Sequence, residues 1–440
     1  MSILTEKKLG IISLGCDKNR VDTEKMLGFL KGTGIQVVDD LEDADIIIIN
    51  TCAFIEKARK ESIENILDAI ELKKFNCEKI IVTGCLSQKY LNDLKKELPE
   101  VDAFLGTSNY SEIADIIEKL YKGENYYSNS PKDNDVYERV LTTPQHYAYI
   151  KIAEGCDNHC TFCAIPSIRG KYTSRTKENI LNEATKLADI GVKELILVAQ
   201  DTGRYGSDLY KDYDIADLMF DLSKINGIEW IRLLYCYPET ITDRLLNLIV
   251  SEPKICNYLD IPLQHIDDTI LKRMNRRITE EGIKNLIDRI RQAGDISIRS
   301  SFIVGFPQES DEQFQKLLAF LEEYKLDNVG FFTYSREEGT PAAKMSGQIP
   351  AKIKNQRLRQ AAAVQQRVVI ENNKKYLNKT LKVLYEGIDF KKKMFYGRTQ
   401  YNAPEVDTLV YFSGEFAEIG NFYDVKITDI LTYDLKGVMQ

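Results

Sequence analysis

Nine cysteines stand in this 440-residue chain, and six of them are spaced to do chemistry. Cys156, Cys160 and Cys163 form C-x-x-x-C-x-x-C within Gly155-Cys156-Asp157-Asn158-His159-Cys160-Thr161-Phe162-Cys163. Cys16, Cys52 and Cys85 each close a short apolar run far upstream. Three thiolates suggest a metal cluster short of one protein ligand, and substrate or cofactor can bind at the vacant iron. Two such triads point to chemistry more than to scaffolding.

Each triad has a plainer reading beside it. Zinc is the rival at the second, with His159 or Asp157 as fourth ligand. Structural zinc normally draws on paired C-x-x-C or C-x-x-C…H-x-x-x-H elements, and no second half lies near. A fully ligated ferredoxin-type cluster needs a fourth nearby cysteine, and residues 164–235 contain none. For the first triad the plain reading is three buried free cysteines, a common fate of this residue. Against it, Cys16 follows Ile11-Ile-Ser-Leu-Gly15, Cys52 follows Ile46-Ile-Ile-Ile-Asn-Thr51, and Cys85 follows Ile80-Ile-Val-Thr-Gly84. Residues just past parallel strands line one edge of the sheet, where open α/β sheets bind ligands. Gly15 and Gly84 let backbone approach a bulky group. Cys77, Cys236 and Cys256 fit neither triad and read as structural.

The elements that must position these residues follow from the patterning. Residues 1–121 alternate strand and helix, as in a doubly wound parallel sheet. Ala44–Asn50 is nearly all Ile, as in a strand buried on both faces. A polar, turn-rich stretch follows, including Ser128-Asn-Ser-Pro131-Lys-Asp-Asn134, and predicts a linker over 122–141. Six strand candidates alternate with helical patterns over 142–375: Tyr147–Ala153, Glu194–Ala199, Trp230–Tyr235, Tyr258–Ile261, Ile296–Val304 and Val329–Tyr334. They predict a partial (β/α)6 barrel whose chemistry gathers at the strands' carboxyl ends. Residues 351–375 read as a long connecting helix. Residues 376–440 are β-rich at Leu381–Tyr385, Val406–Phe412 and Tyr423–Ile430, which predicts a small antiparallel barrel of oligonucleotide-binding type. The whole is an α/β chain of three domains.

Composition is that of a globular protein, 43% hydrophobic and 29% charged. A net charge of −8, weighted to the first 140 residues, argues against an electrostatically driven nucleic-acid binder and suits a basic protein partner. The N-terminal residues lack the apolar core of a secretory signal, and no apolar run approaches a membrane span of roughly 18 residues. A cytoplasmic location is the expectation, where clustered cysteines are metal ligands or catalytic groups more often than disulfides. Walker loops, G-x-G-x-x-G and nucleophile elbows are missing.

C-x-x-x-C-x-aromatic-C at the start of a partial barrel resembles the signature of the radical S-adenosylmethionine (SAM) enzymes. With the upstream triad and a terminal small barrel (a TRAM domain), the chain resembles the methylthiotransferases over essentially its whole length. Ser13-Leu-Gly-Cys-Asp-Lys-Asn-Arg-Val-Asp22, Ile152-Ala-Glu-Gly-Cys-Asp157, Tyr334-Ser-Arg-Glu-Glu-Gly-Thr-Pro-Ala342 and Ala403-Pro-Glu-Val-Asp407 look like the type that acts on a ribosomal protein. The alternative type modifies an adenosine beside the tRNA anticodon. Small departures are Thr23 in place of Ser and Gly305-Phe-Pro-Gln-Glu-Ser310 in place of Gly-Phe-Pro-Gly-Glu-Thr.

The resemblance implies that Cys156, Cys160 and Cys163 hold one 4Fe-4S cluster, with SAM on its free iron. Cys16, Cys52 and Cys85 would hold a second, auxiliary cluster. The implied chemistry makes a 5′-deoxyadenosyl radical from SAM and methylthiolates the β-carbon of an aspartate in the twelfth small-subunit ribosomal protein. A radical is needed because side-chain bases do not deprotonate an unactivated carbon. A low-potential electron donor, flavodoxin or ferredoxin, is implied as a partner.

Phe162 is placed to pack on the adenine. Gln200, Gln264 and Gly305 end strands that should rim the site, and are candidate SAM contacts against the alternative of ordinary loop residues. His146 reads as a linker residue, His265 as a site residue or strand-end cap, and Lys391-Lys392-Lys393 as a solvated hairpin tip or an RNA contact.

Overall fold

A computed structural model describes residues 3–130 and 138–440; residues 131–137 of the expected linker lie outside the described residues. The first domain is a parallel sheet of β1 (Lys8–Ser13), β2 (Gln36–Val37), β3 (Ile46–Thr51), β4 (Lys79–Gly84), β5 (Ala103–Leu105) and β6 (Tyr126–Ser128), in the order β2-β1-β3-β4-β5-β6. Helices α1 (Asp17–Leu30), α2 (Glu56–Leu72), α3 (Cys85–Glu97) and α4 (Ile113–Tyr121) cover its faces. Every residue of β3 is buried. Its side chains alternate between two cores, with Ile47 and Ile49 in one and Ile46 and Ile48 in the other, as the period of two requires. The strand order reverses between β1 and β3, and ligands of doubly wound sheets bind at that switch point. β2 and β6 are too short for hydrophobic alternation to announce. β6 also falls inside the stretch expected as linker, so the sheet continues past residue 121.

The second domain is a six-stranded parallel sheet of β7 (Tyr147–Lys151), β10 (Glu194–Val198), β11 (Trp230–Leu233), β12 (Ile255–Gln264), β13 (Ser297–Val304) and β14 (Asn328–Thr333), paired in chain order. A short ribbon, β8 (Ala153–Glu154) with β9 (Thr173–Ser174), folds back over its mouth. Between the ribbon's strands lies α5 (Ile165–Arg169). Outer helices show the 3.6-residue stripe: Ile283, Leu286, Ile287 and Ile290 are the buried face of Glu280–Ala293. Helix Ala351–Asn373 leads to the third domain.

That domain is a closed barrel of β15 (Thr380–Asp389), β16 (Met394–Arg398), β17 (Val410–Ser413), β18 (Phe422–Leu431) and β19 (Asp434–Met439), in the order β15-β16-β17-β19-β18. The small antiparallel barrel is as expected, with one parallel pair in it. β17 and β19 pair in parallel, because β18 crosses the barrel between them.

The three domains share a core. Val21 of α1 packs with Tyr147, Tyr149, Trp230 and Tyr258 on one face of the second sheet, and Leu384 and Ala403 of the third domain join them. A buried ionic chain ties the third domain down. Arg232 Nε donates to Glu194 Oε1 at 2.7 Å, Arg398 Nη2 donates to Glu194 Oε2 at 2.6 Å and to Glu386 Oε1 at 2.8 Å, and His146 Nε2 lies 3.1 Å from the same Glu386 oxygen. His146, expected in a linker, is therefore a buried interdomain group.

A second buried network holds α1 against the barrel. Arg139 and Arg175 pair with Glu183, and Lys25 lies among them at 2% exposure. Burial, helped by Arg175, drops the Lys25 ammonium from 10.5 to about 7. Above 10.5 the amine is neutral folded or unfolded. Between 10.5 and 7 the unfolded chain holds the extra proton, so stability falls as pH falls. At pH 7 nearly the full cost is in place. Lys25→Met is expected to raise stability at pH 7 by roughly 4 kcal/mol, with the gain vanishing toward pH 10.5, measured by denaturant melts across pH.

Candidate functional site

The first triad gathers at the carboxyl edge of the first sheet. Cys16 is the N-cap of α1, Cys85 opens α3, and Cys52 directly follows β3. Two of the three thus sit at helix N-termini, where the dipole favours a negative thiolate or cluster. Gly15 (φ +93°) and Gly84 (φ +94°) bend the chain into Cys16 and Cys85. A side chain has no room at either position. A Cβ on Gly15 would stand 2.8 Å from Cys52 Cβ and 3.0 Å from its Sγ, and one on Gly84 would collide with Asn50 Oδ1. Gly15→Ala is expected to halve the iron retained after anaerobic reconstitution while sparing the other site. Iron assay and the absorbance near the thiolate–iron bands check it.

The second triad lies on the loop after β7 and β8. Gly155 (φ +75°) makes the same bend ahead of Cys156. Loop backbone fixes the rest: Thr161 N–H donates to Met274 O at 3.0 Å, and Ala342 N–H donates to Thr161 O at 2.9 Å. Each thiol has a polar neighbour. Asn158 Nδ2 is 3.5 Å from Cys156 Sγ, the Tyr237 hydroxyl 3.5 Å from Cys160 Sγ, and Ile165 N–H 3.4 Å from Cys163 Sγ.

All nine cysteines are free. Within each triad the thiols are close enough to raise one another electrostatically, Cys16 and Cys85 acting on Cys52, and Cys160 and Cys156 on Cys163. Burial, the larger cause, pushes Cys52 and Cys163 up to about 12. At neutral pH these groups stay protonated unless a metal replaces the proton. Among the described residues no group of three ligating side chains is placed to hold a single metal ion. Thiolates of a four-iron cluster bind three different irons and stand further apart than ligands of one ion. Three thiols at each site are the donor set that an iron–sulfur cluster takes.

One residue carried just beyond the second triad reaches the first. Arg169 of α5 lies six positions beyond Cys163, and its side chain is 2% exposed. Its Nη2 reaches Cys85 Sγ at 3.5 Å and also donates to Asn19 Oδ1; its Nη1 donates to Asp22 Oδ2 at 2.9 Å and Glu154 Oε2 at 3.0 Å. Lys151 binds the same two carboxylates. Gln200 Nε2 completes the chain by donating to Glu154 Oε1 at 3.0 Å. The end of β11 makes a second connection: Tyr235 faces Cys16 and Asp17, and Tyr237 touches Cys160.

Beside Cys156 and Cys160 opens a cleft of about 440 Å³, lined by Asp157, Asn158, Asp201, Arg204, Tyr237 and Arg276, among others. Asp201 is 1% exposed; its Oδ2 accepts from Asn158 Nδ2 at 2.8 Å, while Oδ1 has no partner. Burial raises Asp201 to about 6. Arg276 sends Nη1 to Cys160 Sγ at 3.8 Å and Nη2 to Pro262 O at 2.8 Å.

The expected SAM contacts lie around this region and outside the cleft's lining. Phe162 packs edge-on against Phe306, ring centres 6.5 Å apart. Gln264 (φ +72°) and Gly305 (φ +72°) end β12 and β13 in left-handed conformations. A non-glycine residue held there stores strain that the surroundings must impose. His265 is a strand-end brace: Nδ1 accepts the Asp267 N–H at 3.0 Å, and Nε2 lies 3.1 Å from Glu309 Oε1. Sequence reasoning missed Arg169, Asp201, Tyr237 and Arg276. Tyr237 and Asp201 follow predicted strands, which was the available signal; Arg169 and Arg276 sit in helix and loop positions with none.

Comparison with known proteins places this arrangement. Residues 8–106 match an uncharacterized protein family, UPF0004, residues 150–321 the Radical SAM superfamily, and residues 379–439 the TRAM domain. The fold is also that of a radical S-adenosylmethionine methyltransferase, TsrM, from Kitasatospora setae, at a TM-score of 0.56 and 12% identity over 74% of this chain and 73% of that one. The molecule is a radical SAM enzyme. The ribosomal protein uS12 methylthiotransferase RimO of Acetivibrio thermocellus is 48% identical over 98% of this chain and 98% of its own, and that of Clostridium novyi is 48% identical at the same coverage. The chain belongs to the RimO family of ribosomal protein uS12 methylthiotransferases.

Proposed function

We infer that this protein methylthiolates the β-carbon of an aspartate in ribosomal protein uS12. Full-length identity to the uS12 enzymes supports the substrate. The observation behind the mechanism is the pair of cysteine triads at the carboxyl edges of two parallel sheets, joined through Arg169. Cys156, Cys160 and Cys163 hold the cluster that works with SAM, and Cys16, Cys52 and Cys85 hold the auxiliary one. When bound, these clusters and SAM supply radical cleavage of a C–H bond and the sulfur that replaces it.

The chain's own residues prepare the site. The cleft offers both signs of charge, Asp201 with a free buried oxygen and the guanidiniums of Arg204 and Arg276. That pairing suits the ammonium and carboxylate of SAM's methionyl end. Phe162, Gln200, Gln264 and Gly305 frame the rest of the cofactor at the strand ends. Tyr235 donates to Asp17 beside Cys16, and Tyr237 touches Cys160 and lines the cleft.

A low-potential donor, flavodoxin or ferredoxin, delivers the electron. The net charge of −8 favours the basic ribosomal protein over direct nucleic-acid binding. No helix among the described residues is long and apolar enough to cross a membrane, and the enzyme works in the cytoplasm where its substrate is made. Mass spectrometry of uS12 and of bulk tRNA from a strain lacking the gene tests the reading. Loss of the methylthio mass on uS12 is expected; an unchanged uS12 with altered tRNA contradicts it.

A further inference from the structure

We propose that Arg169 is a positioning residue of the auxiliary site: it donates a hydrogen bond to the Cys85 sulfur, raises the reduction potential of the cluster held there, and fixes that site against the barrel. The proposal rests on the assignment of Cys16, Cys52 and Cys85 as ligands.

The guanidinium's hydrogen bonds to Asp22, Asn19 and Cys85 are buried, and the one to Glu154 is partly buried. Nη2 faces Cys85 Sγ and Asn19 Oδ1, and Nη1 faces Asp22 and Glu154. Asn19 is itself fixed, because its Nδ2 donates to Leu14 O at 3.0 Å and to Thr51 O at 2.9 Å. Those carbonyls belong to the segments that deliver Cys16 and Cys52. Arg169 thus grips the frame of the whole triad through one side chain, while its own helix starts two residues after Cys163. Only a planar fork with several donors can serve four acceptors in these directions; a lysine ammonium is a point charge on a flexible stem.

The electrostatics give the sign. Reducing a cluster adds negative charge, and a buried cation hydrogen-bonded to a ligand sulfur stabilises the reduced form. The nearby carboxylates Asp22 and Glu154 are shared with Lys151, so they do not cancel Arg169 alone. No such guanidinium accompanies the first triad's other sulfurs in the described hydrogen bonds, which makes Cys85 the point of control.

The test uses the full chain with Cys156, Cys160 and Cys163 all changed to Ala, so that iron can enter only the first triad. After anaerobic reconstitution, a redox titration followed by electron paramagnetic resonance reads the potential directly. Arg169→Met is expected to lower the potential and alter the signal's g-values at unchanged iron content. Arg169→Lys, which keeps the charge and loses the fork, should fall between Arg169→Met and the parent. Should Arg169→Met fail to fold, Arg169→Lys decides alone: a lowered potential supports the proposal. A potential and signal identical to the parent's in the folded variant overturn it. Absence of any cluster in the parent itself would instead defeat the ligand assignment, so the two failures are distinguishable.

Discussion

Cys160→Ala is expected to abolish both 5′-deoxyadenosine formation and methylthio transfer, whereas Cys16→Ala should keep the first and lose the second. The difference follows from where each thiol stands. Cys160 lies on the loop whose backbone is pinned by Met274 and Ala342, beside the cleft that carries Asp201 and Arg276. On the proposed assignment, removing it takes a ligand from the cluster that works with SAM. Cys16 caps α1 on the other sheet, and its loss leaves that loop and cleft untouched. Both changes should reduce transfer to background, a fall of at least about 1,000-fold for a reaction with no competent alternative route. Chromatographic quantitation of 5′-deoxyadenosine beside mass spectrometry of a uS12 peptide separates the two activities. Equal loss of SAM cleavage in both variants contradicts this division.

Arg398→Met frees the terminal barrel from the rest of the molecule. Arg398 is 0% exposed and serves Glu194 of β10 and Glu386 of β15 at once. Its removal leaves two buried carboxylates sharing what remains, Arg232 for Glu194 and His146 for Glu386. Breaking a buried pair on one side costs roughly 3–5 kcal/mol, far more than the pair itself contributes, because a charge is stranded. Glu194 and Glu386 are both held below the ordinary carboxylate range, against burial, with Arg398 the largest favourable influence on each. The expected result is a lower thermal midpoint and new protease cleavage in the segment entering β15. An unchanged midpoint contradicts the account of this junction.

These two sites differ in how plainly the sequence announced them. The cysteine triads were legible because each follows an apolar run that can only be a strand, and parallel strands end on one edge. The order β2-β1-β3-β4-β5-β6 then sets Cys16 and Cys52 on either side of the switch point. Arg232, in contrast, sits in Trp230-Ile-Arg-Leu and is fully buried, which nothing in its local sequence announces. Its partners lie on β10 and, as carbonyls, at Thr399 and Gln400 of the next domain, and local patterning has no access to such distant pairs. The same holds for Arg169 and His146. β16 and β19 escaped notice because Gly397 and Gly437 interrupt their apolar alternation; each packs where a Cβ would strike neighbouring backbone or Val side chains. Buried charge between domains is what sequence periodicity hides best.

On the proposed assignment, two incompletely ligated clusters face each other across the junction of the first two domains. Electron paramagnetic resonance of anaerobically reconstituted, dithionite-reduced protein tests it most directly, with iron assayed in the same sample. The account predicts about eight irons per chain and a spectrum broadened by magnetic coupling between two reduced clusters, collapsing to a single uncoupled signal when either triad is changed to Ala. About four irons per chain, or two signals that simply add without coupling, would contradict it.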